Sequence, residues 1–177
     1  MSGVLLRQGR MTDVPAYVNM RAVGWRVLAD REVATVPADR RIWMRGRWHA
    51  LAHVQEAHNL AVTAGRNLIR DFLNGDAVTG LTHFALGTDG TAVTAADTAL
   101  GAEVFRDVFT QTTKDAAKLT VKYYLDSSSA NGNTLREAAL LNAASGGTMY
   151  ARVALPDAIV KTTSLAYTFT WDLTWGV

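Results

Sequence analysis

Three of the four histidines fall within ten residues: His49, His53 and His58, with Glu56 among them. On a helix, His49 and His53 would share one face, a spacing that suits zinc. The order is not the H-E-x-x-H in which a glutamate supplies the general base. On a strand the two would lie well over ~10 Å apart and would read as polar or interface residues. Asp97 and Glu103 could form the carboxylate pair of a glycosidase. More often, a loop aspartate followed by threonine closes a turn by side-chain-to-backbone bonds, and Glu103 can pair with Arg106. There is no Gly-x-Ser-x-Gly, and the absence of cysteine removes thiolate chemistry. Gly87-Thr88-Asp89-Gly90 lacks the lysine of a phosphate-binding loop and the ligand series of a calcium loop. The expectation is a protein that is not an enzyme, with no catalytic residue, no cofactor and no structural metal.

The other chemistry-bearing stretch is basic and aromatic. Arg40, Arg41, Arg45 and Arg47 surround Trp43 and Trp48. Such a run could stack bases while arginines track phosphates. It could instead be an amphipathic strand whose arginines lie over tryptophan rings. The second reading is preferred, because the run is short and the net charge is only +2. The charge is uneven: residues 1–70 carry 11 Arg and 5 acids, whereas residues 71–177 carry 7 Lys plus Arg and 11 acids. Arginine forks pair with carboxylates and stack on rings, which suits interfaces. Arg40, Arg41, Trp43, Arg45, Arg47, Trp48 and Trp25 are therefore the candidate interface residues. The expected partner is another copy of the chain or another protein, not nucleic acid. No apolar run approaches the ~18 residues of a membrane span. Val4-Leu5-Leu6, interrupted by Arg7 and Arg10, is too short for a signal peptide.

The elements that must position these residues read mainly as strands. Residues 1–15 show no period and suggest an extended arm. Val23, Trp25 and Val27 alternate with polar or small residues as in a half-buried strand, and Ala29–Glu32 would turn into a second strand. Thr63 is placed to cap a short helix whose apolar stripe is Leu68, Ile69, Phe72 and Leu73. Asn74-Gly75 would end it. Strands follow at Leu81–Leu86, Glu103–Thr110, Leu119–Leu125 and Met149–Leu155, with Pro156 ending the last. Residues 165–175 alternate most cleanly, with Leu165, Tyr167, Phe169, Trp171, Leu173 and Trp175 on one face. The fold class expected is mainly β: an antiparallel β-sandwich with one short α-helix and an extended N-terminal arm. The arm and its strands would occupy residues 1–58, and the sandwich residues 59–177.

Three groups of residues recur in a recognisable order: Thr63, Gly65, Arg66, Leu68 and Ile69; Thr82, His83, Ala85, Leu86, Gly87 and Thr88; Asp97, Thr98, Leu100, Glu103 and Arg106. From about Leu60 to Val177 this order resembles the tail-fibre and tail-collar virion proteins of tailed bacteriophages. The resemblance implies motif residues Gly65, Gly87, Asp97, Thr98, Glu103 and Arg106. It favours a strand at Leu135–Asn142, whose residues alone leave helix and strand open, and an extended approach to the Thr63 helix. It implies a virion component: a tail-fibre, collar or baseplate-type adaptor that assembles symmetrically and docks onto other tail or neck proteins. No catalytic residues carry over. The alternative is a carbohydrate- or receptor-binding module of the tail, with Trp43 and Trp48 as platforms for a host surface glycan.

Overall fold

The computed structural model describes residues 17–174; the arm expected at 1–15 and Trp175 lie outside them. The described chain is mainly antiparallel β. Its strands are β1 (Tyr17–Val27), β2 (Arg41–Met44), β3 (Arg47–Ala61), β4 (His83–Gly87), β5 (Glu103–Val108), β6 (Gln111–Asp115), β7 (Lys118–Leu125), β8 (Thr134–Leu141), β9 (Met149–Val160) and β10 (Leu165–Thr174). The helix α1 (Thr63–Leu73) follows β3. Hydrogen-bonded neighbours run β5-β4-β8-β9-β3-β1-β10-β7-β6, with β2 added to β3. The β3–β9 link is only Leu60↔Arg152 and Ala61↔Ala151, so the curled sheet folds there into two layers. Phe84 on β4 stacks on Tyr123 of β7 at 4.8 Å and meets Phe169 of β10 at 4.9 Å. These contacts join the layers into a β-sandwich.

The period-two pattern of β10 does what its sequence requires. Tyr167, Phe169, Trp171 and Leu173 are buried in the main core, each contributing ~1.5–3 kcal/mol before entropy costs. The strand lies between β1 and β7.

Several expectations are corrected. The boundary at residues 58 and 59 falls inside β3, and β1 is flanked on both sides, by β3 and β10. Residues 17–58 are thus part of the sandwich, not an appendage. The strand expected after Ala29–Glu32 is a 3-10 helix over Asp30–Thr35, held where Glu32 accepts from Ala29 N–H at 2.9 Å and from Arg26 at 3.1 Å. Val62 occupies the N-cap of α1, and Thr63 is the first helical residue with no side-chain cap. The Thr63 N–H instead donates to Ala95 O at 2.8 Å. Pro156 does not end β9. Pairing jumps from Glu137↔Ala154 to Leu135↔Ile159, and Pro156 sits in that bulge, where no ladder donor is needed. The polar strand β6, all of whose residues are exposed, was not foreseen.

Candidate interaction surface

The arginine–tryptophan run folds as a β-hairpin. β2 pairs with the start of β3 through Arg41↔Ala50, Ile42↔His49, Trp43↔Trp48 and Met44↔Arg47. The two-residue turn has positive φ at Arg45 (49°) and Gly46 (76°). That is the backbone a tight hairpin with right-twisted strands needs. Glycine takes it freely; at Arg45 it is strained. Trp43 and Trp48 meet edge to face at 5.4 Å. The Arg41 guanidinium lies 5.3 Å from the Trp48 ring centre and also bonds Val33 O. Arg45 reaches back over Tyr124 of β7 at 4.4 Å. The arginine-over-ring reading is therefore met, though on a hairpin and not one continuous strand.

What remains outward is distinctive. Trp43 is 56% exposed, and Arg40, Arg45 and Arg47 are exposed. Among the described residues, none of Arg40, Arg41, Arg45 or Arg47 pairs with a carboxylate. Trp25, by contrast, is half-buried inside the sheet, between Ala166 and Leu51, and does not belong to the hairpin. His49 and His53 are on extended β3, where His49 is buried and bonds Arg47 O at 3.1 Å.

The motif residues gather elsewhere. The irregular segment from Thr88 to Ala102 crosses the outer side of β4, β8 and β9, burying Leu100 against Ala85, Ala139, Leu141 and Met149. A buried ion network fastens it. Glu137 of β8 is fully buried and accepts from Gly101 N–H (3.1 Å), Ala102 N–H (2.9 Å) and Arg152 Nε (2.8 Å). The side chain of Arg152 on β9 is 4% exposed and also bonds Asp97 at 2.7 Å and Thr91 Oγ1 at 3.3 Å, with Asp89 at 3.6 Å. Burial opposes ionisation of Asp97, but the Thr94 hydroxyl and the Arg152 guanidinium outweigh it, and its carboxyl is held below the ordinary range. The Thr91 hydroxyl and N–H, followed by Arg152, do the same for Asp89.

Gly87 and Gly65 are close-approach glycines. A Cβ on Gly87 would overlap the Glu137 carboxylate, and one on Gly65 would overlap the Tyr150 backbone carbonyl. Glu103 pairs with Arg106 at 2.6 and 2.8 Å, and Arg106 also donates to Ala143 O (2.8 Å) and Gly146 O (2.9 Å). Thr98 is exposed and joins none of these bonds. Asp97 and Glu103 are each engaged by an arginine, so this constellation pins a loop to the sheet and offers no free acid–base pair. Sequence reasoning missed Arg152 and Glu137. The signal was there: Arg152 interrupts the apolar run Met149–Leu155, and Glu137, next to Arg136, opens the apolar run Ala138–Leu141.

A polar cleft of about 550 Å³ lies across β1, β3, β7 and β10. Its groups are largely satisfied internally: Arg21 with Glu56 at 3.3 Å, His58 with Asn19 at 2.8 Å, Asp172 with Thr120 at 2.5 Å. The hairpin presents exposed aromatic area together with several arginines that have no carboxylate partner among the described residues. No family model, no curated protein and no solved structure matches this chain.

Proposed function

We propose that the protein is a structural component of a bacteriophage virion, a tail-fibre, collar or baseplate-type adaptor. In this reading it assembles with copies of itself and docks onto other tail or neck proteins through the β2–β3 hairpin. The observation that carries the docking surface is the pairing of exposed Trp43 with four arginines that have no carboxylate partner among the described residues. Tryptophan and arginine are the side chains most enriched at interface hot spots. The virion assignment rests on the order of the Thr63, Thr82 and Asp97 motifs. Its residues have structural duties consistent with a scaffold: Gly65 seats α1, while Asp97 and Gly87 frame the Arg152–Glu137 network. No described helix is long and apolar enough to cross a membrane.

Analytical ultracentrifugation of the full chain tests the assembly. The wild type should sediment as a closed oligomer, and Trp43→Ser with Arg47→Glu as a folded monomer with unchanged circular dichroism. A wild type that stays monomeric at tens of micromolar, or a variant that assembles like it, counts against the hairpin. Mass spectrometry of purified phage particles tests the location. The exposure of Trp43 also favours a second reading, a glycan-binding module with this ring as its sugar platform. Glycan-array binding by a monomer, lost in Trp43→Ala, would select it.

A further inference from the structure

A second surface lies on another part of the molecule. Only part of the apolar stripe of α1 is covered by the chain: Ile69 packs on the core, but Phe72 is 68% and Leu73 77% exposed. Beside them runs a groove of about 580 Å³ between α1 and the β6–β7 turn, walled by Leu68, Ile69, Phe72, Leu81 and Leu119. Tyr150 of β9 also lines it, 1% exposed, and its hydroxyl is buried with no hydrogen-bond partner. A buried hydroxyl without a partner is costly, and buried polar groups are rarely left so. Burial pushes the Tyr150 hydroxyl up to about 12, so at neutral pH it is a donor awaiting an acceptor. Two cations, Lys114 and Lys118, line the groove and no carboxylate does. Lys118 has only a 3.8 Å approach to Asp172.

We infer that this groove docks an acidic, apolar-anchored peptide segment of a partner protein. Its large apolar side chain would lie against Leu68, Ile69 and Phe72, a backbone carbonyl beside it would accept from Tyr150, and its carboxylates would face Lys114 and Lys118. A peptide suits the groove better than a fatty acid does. The Tyr150 donor is buried, whereas the cations flank the β6–β7 turn, Lys114 exposed and Lys118 half-buried. A polypeptide supplies an acceptor next to every apolar side chain and charge further along; an acyl chain has oxygen only at one end. The hairpin of a second copy is excluded as occupant by charge, since both surfaces are positive.

Selection from an mRNA-displayed library of random dodecapeptides on the immobilised full chain, followed by fluorescence polarisation of a labelled winner, tests this. Winners should combine Phe, Trp or Leu with neighbouring Asp or Glu. Affinity should fall about tenfold or more in Phe72→Asp and about three- to tenfold in Tyr150→Phe. It should also fall in Lys114→Glu. Phe72 and Lys114 are exposed, so those variants keep the fold, and all three leave the hairpin intact. The inference is overturned if no peptide is enriched, or if winners bind Phe72→Asp and Lys114→Glu as well as the wild type. Saturable binding of dodecanoate without any enriched peptide would make the groove a lipid site and overturn it equally.

Discussion

Replacing Arg152 by Met removes the guanidinium on which three carboxylates converge and keeps most of the aliphatic bulk. Glu137 would retain its bonds from the Gly101 and Ala102 N–H groups but would lose its cation while remaining fully buried. Stripping one partner from a buried ion pair costs ~3–5 kcal/mol. The bonds to Asp97 and Thr91 are nearer solvent and add less. At ~2–4 °C per kcal/mol for a chain of this length, the melting temperature should fall by roughly 6–20 °C. Urea unfolding followed by tryptophan fluorescence should show the lower midpoint with an unchanged slope. Adding Glu137→Gln to Arg152→Met should recover about 1 kcal/mol, because the buried charge is gone although the single amide oxygen keeps only one of the two loop N–H bonds. The pH dependence has a definite sign. The Asp97 carboxyl is depressed in the folded state, so its contribution is present above the unfolded value of ~3.9 and is lost as pH falls through the lower folded value. Arg152→Met keeps the Thr94 bonds but loses the guanidinium's share of that depression, so the gap between wild type and variant should narrow below about pH 4. An Arg152→Met protein within ~1 kcal/mol of wild type, or no recovery when Glu137→Gln is added, would mean that these charges are hydrated and that the network does not hold the loop.

Two tyrosines should respond in opposite directions. Tyr150→Phe removes a buried hydroxyl that bonds nothing and should stabilise the free protein by about 1 kcal/mol; Tyr123→Phe deletes the 3.0 Å bond to Asp107 and should cost about 1 kcal/mol, both read from urea midpoints. Gly65→Ala, which in an ordinary helix gains ~0.5–1 kcal/mol, should here lose ~1–3 kcal/mol because the new Cβ meets the Tyr150 carbonyl; amide exchange in α1 should accelerate. Deleting residues 1–58 removes β1 and most of β3 and should give an unfolded or insoluble product by circular dichroism, not a folded monomer.

The legible part of the fold was the part set by local periodicity. The alternation of residues 165–174 and 119–125 has one dominant reading, because large apolar side chains at every second position can be buried only on a strand. Gly75 after Leu73 marked the helix end for an equally local reason. What was not legible depended on distant partners. Nothing near Trp25 announces that residues 17–27 lie beside residues 165–174 rather than in an arm. The proline rule failed at Pro156 because the bulge opposite Leu135 relieves the ladder locally. Gln111-Thr-Thr-Lys-Asp has no apolar period at all and is a strand only because β7 offers its edge. At the candidate sites, the residue types of the hairpin could be read directly, whereas its turn depended on Arg45 accepting a positive φ. Arg152 and Glu137 were passed over because one charge within or beside an apolar run carries no periodic signal. Their partnership across 15 residues appears only when β8 pairs with β9.

The strand edges bear on how a partner can attach. Among the described residues, β5 and β6 end the sheet and β2 has a neighbour only at β3. Each carries charge: Glu103, Arg106 and Asp107 on β5, Lys114 and Asp115 on β6, Arg41 on β2. Charged edge strands resist adding another strand, so the proposed association through the hairpin would use side chains, not a continued ladder. It should therefore respond to ionic strength in a graded way. Exposed arginine–carboxylate contacts are screened as the Debye length contracts from ~10 Å at 0.1 M salt to ~3 Å at 1 M. The burial of Trp43 is not screened. Sedimentation across that range should show the oligomer weakening by about ten- to a hundredfold while remaining detectable, since two or three exposed pairs at ~0.5–1 kcal/mol each account for that change. With Arg40→Gln, Arg45→Gln and Arg47→Gln combined, the salt dependence should largely vanish, with the residual affinity carried by Trp43. An association indifferent to salt in the wild type would show that the arginines face solvent in the assembly and that the contact lies elsewhere on the sandwich.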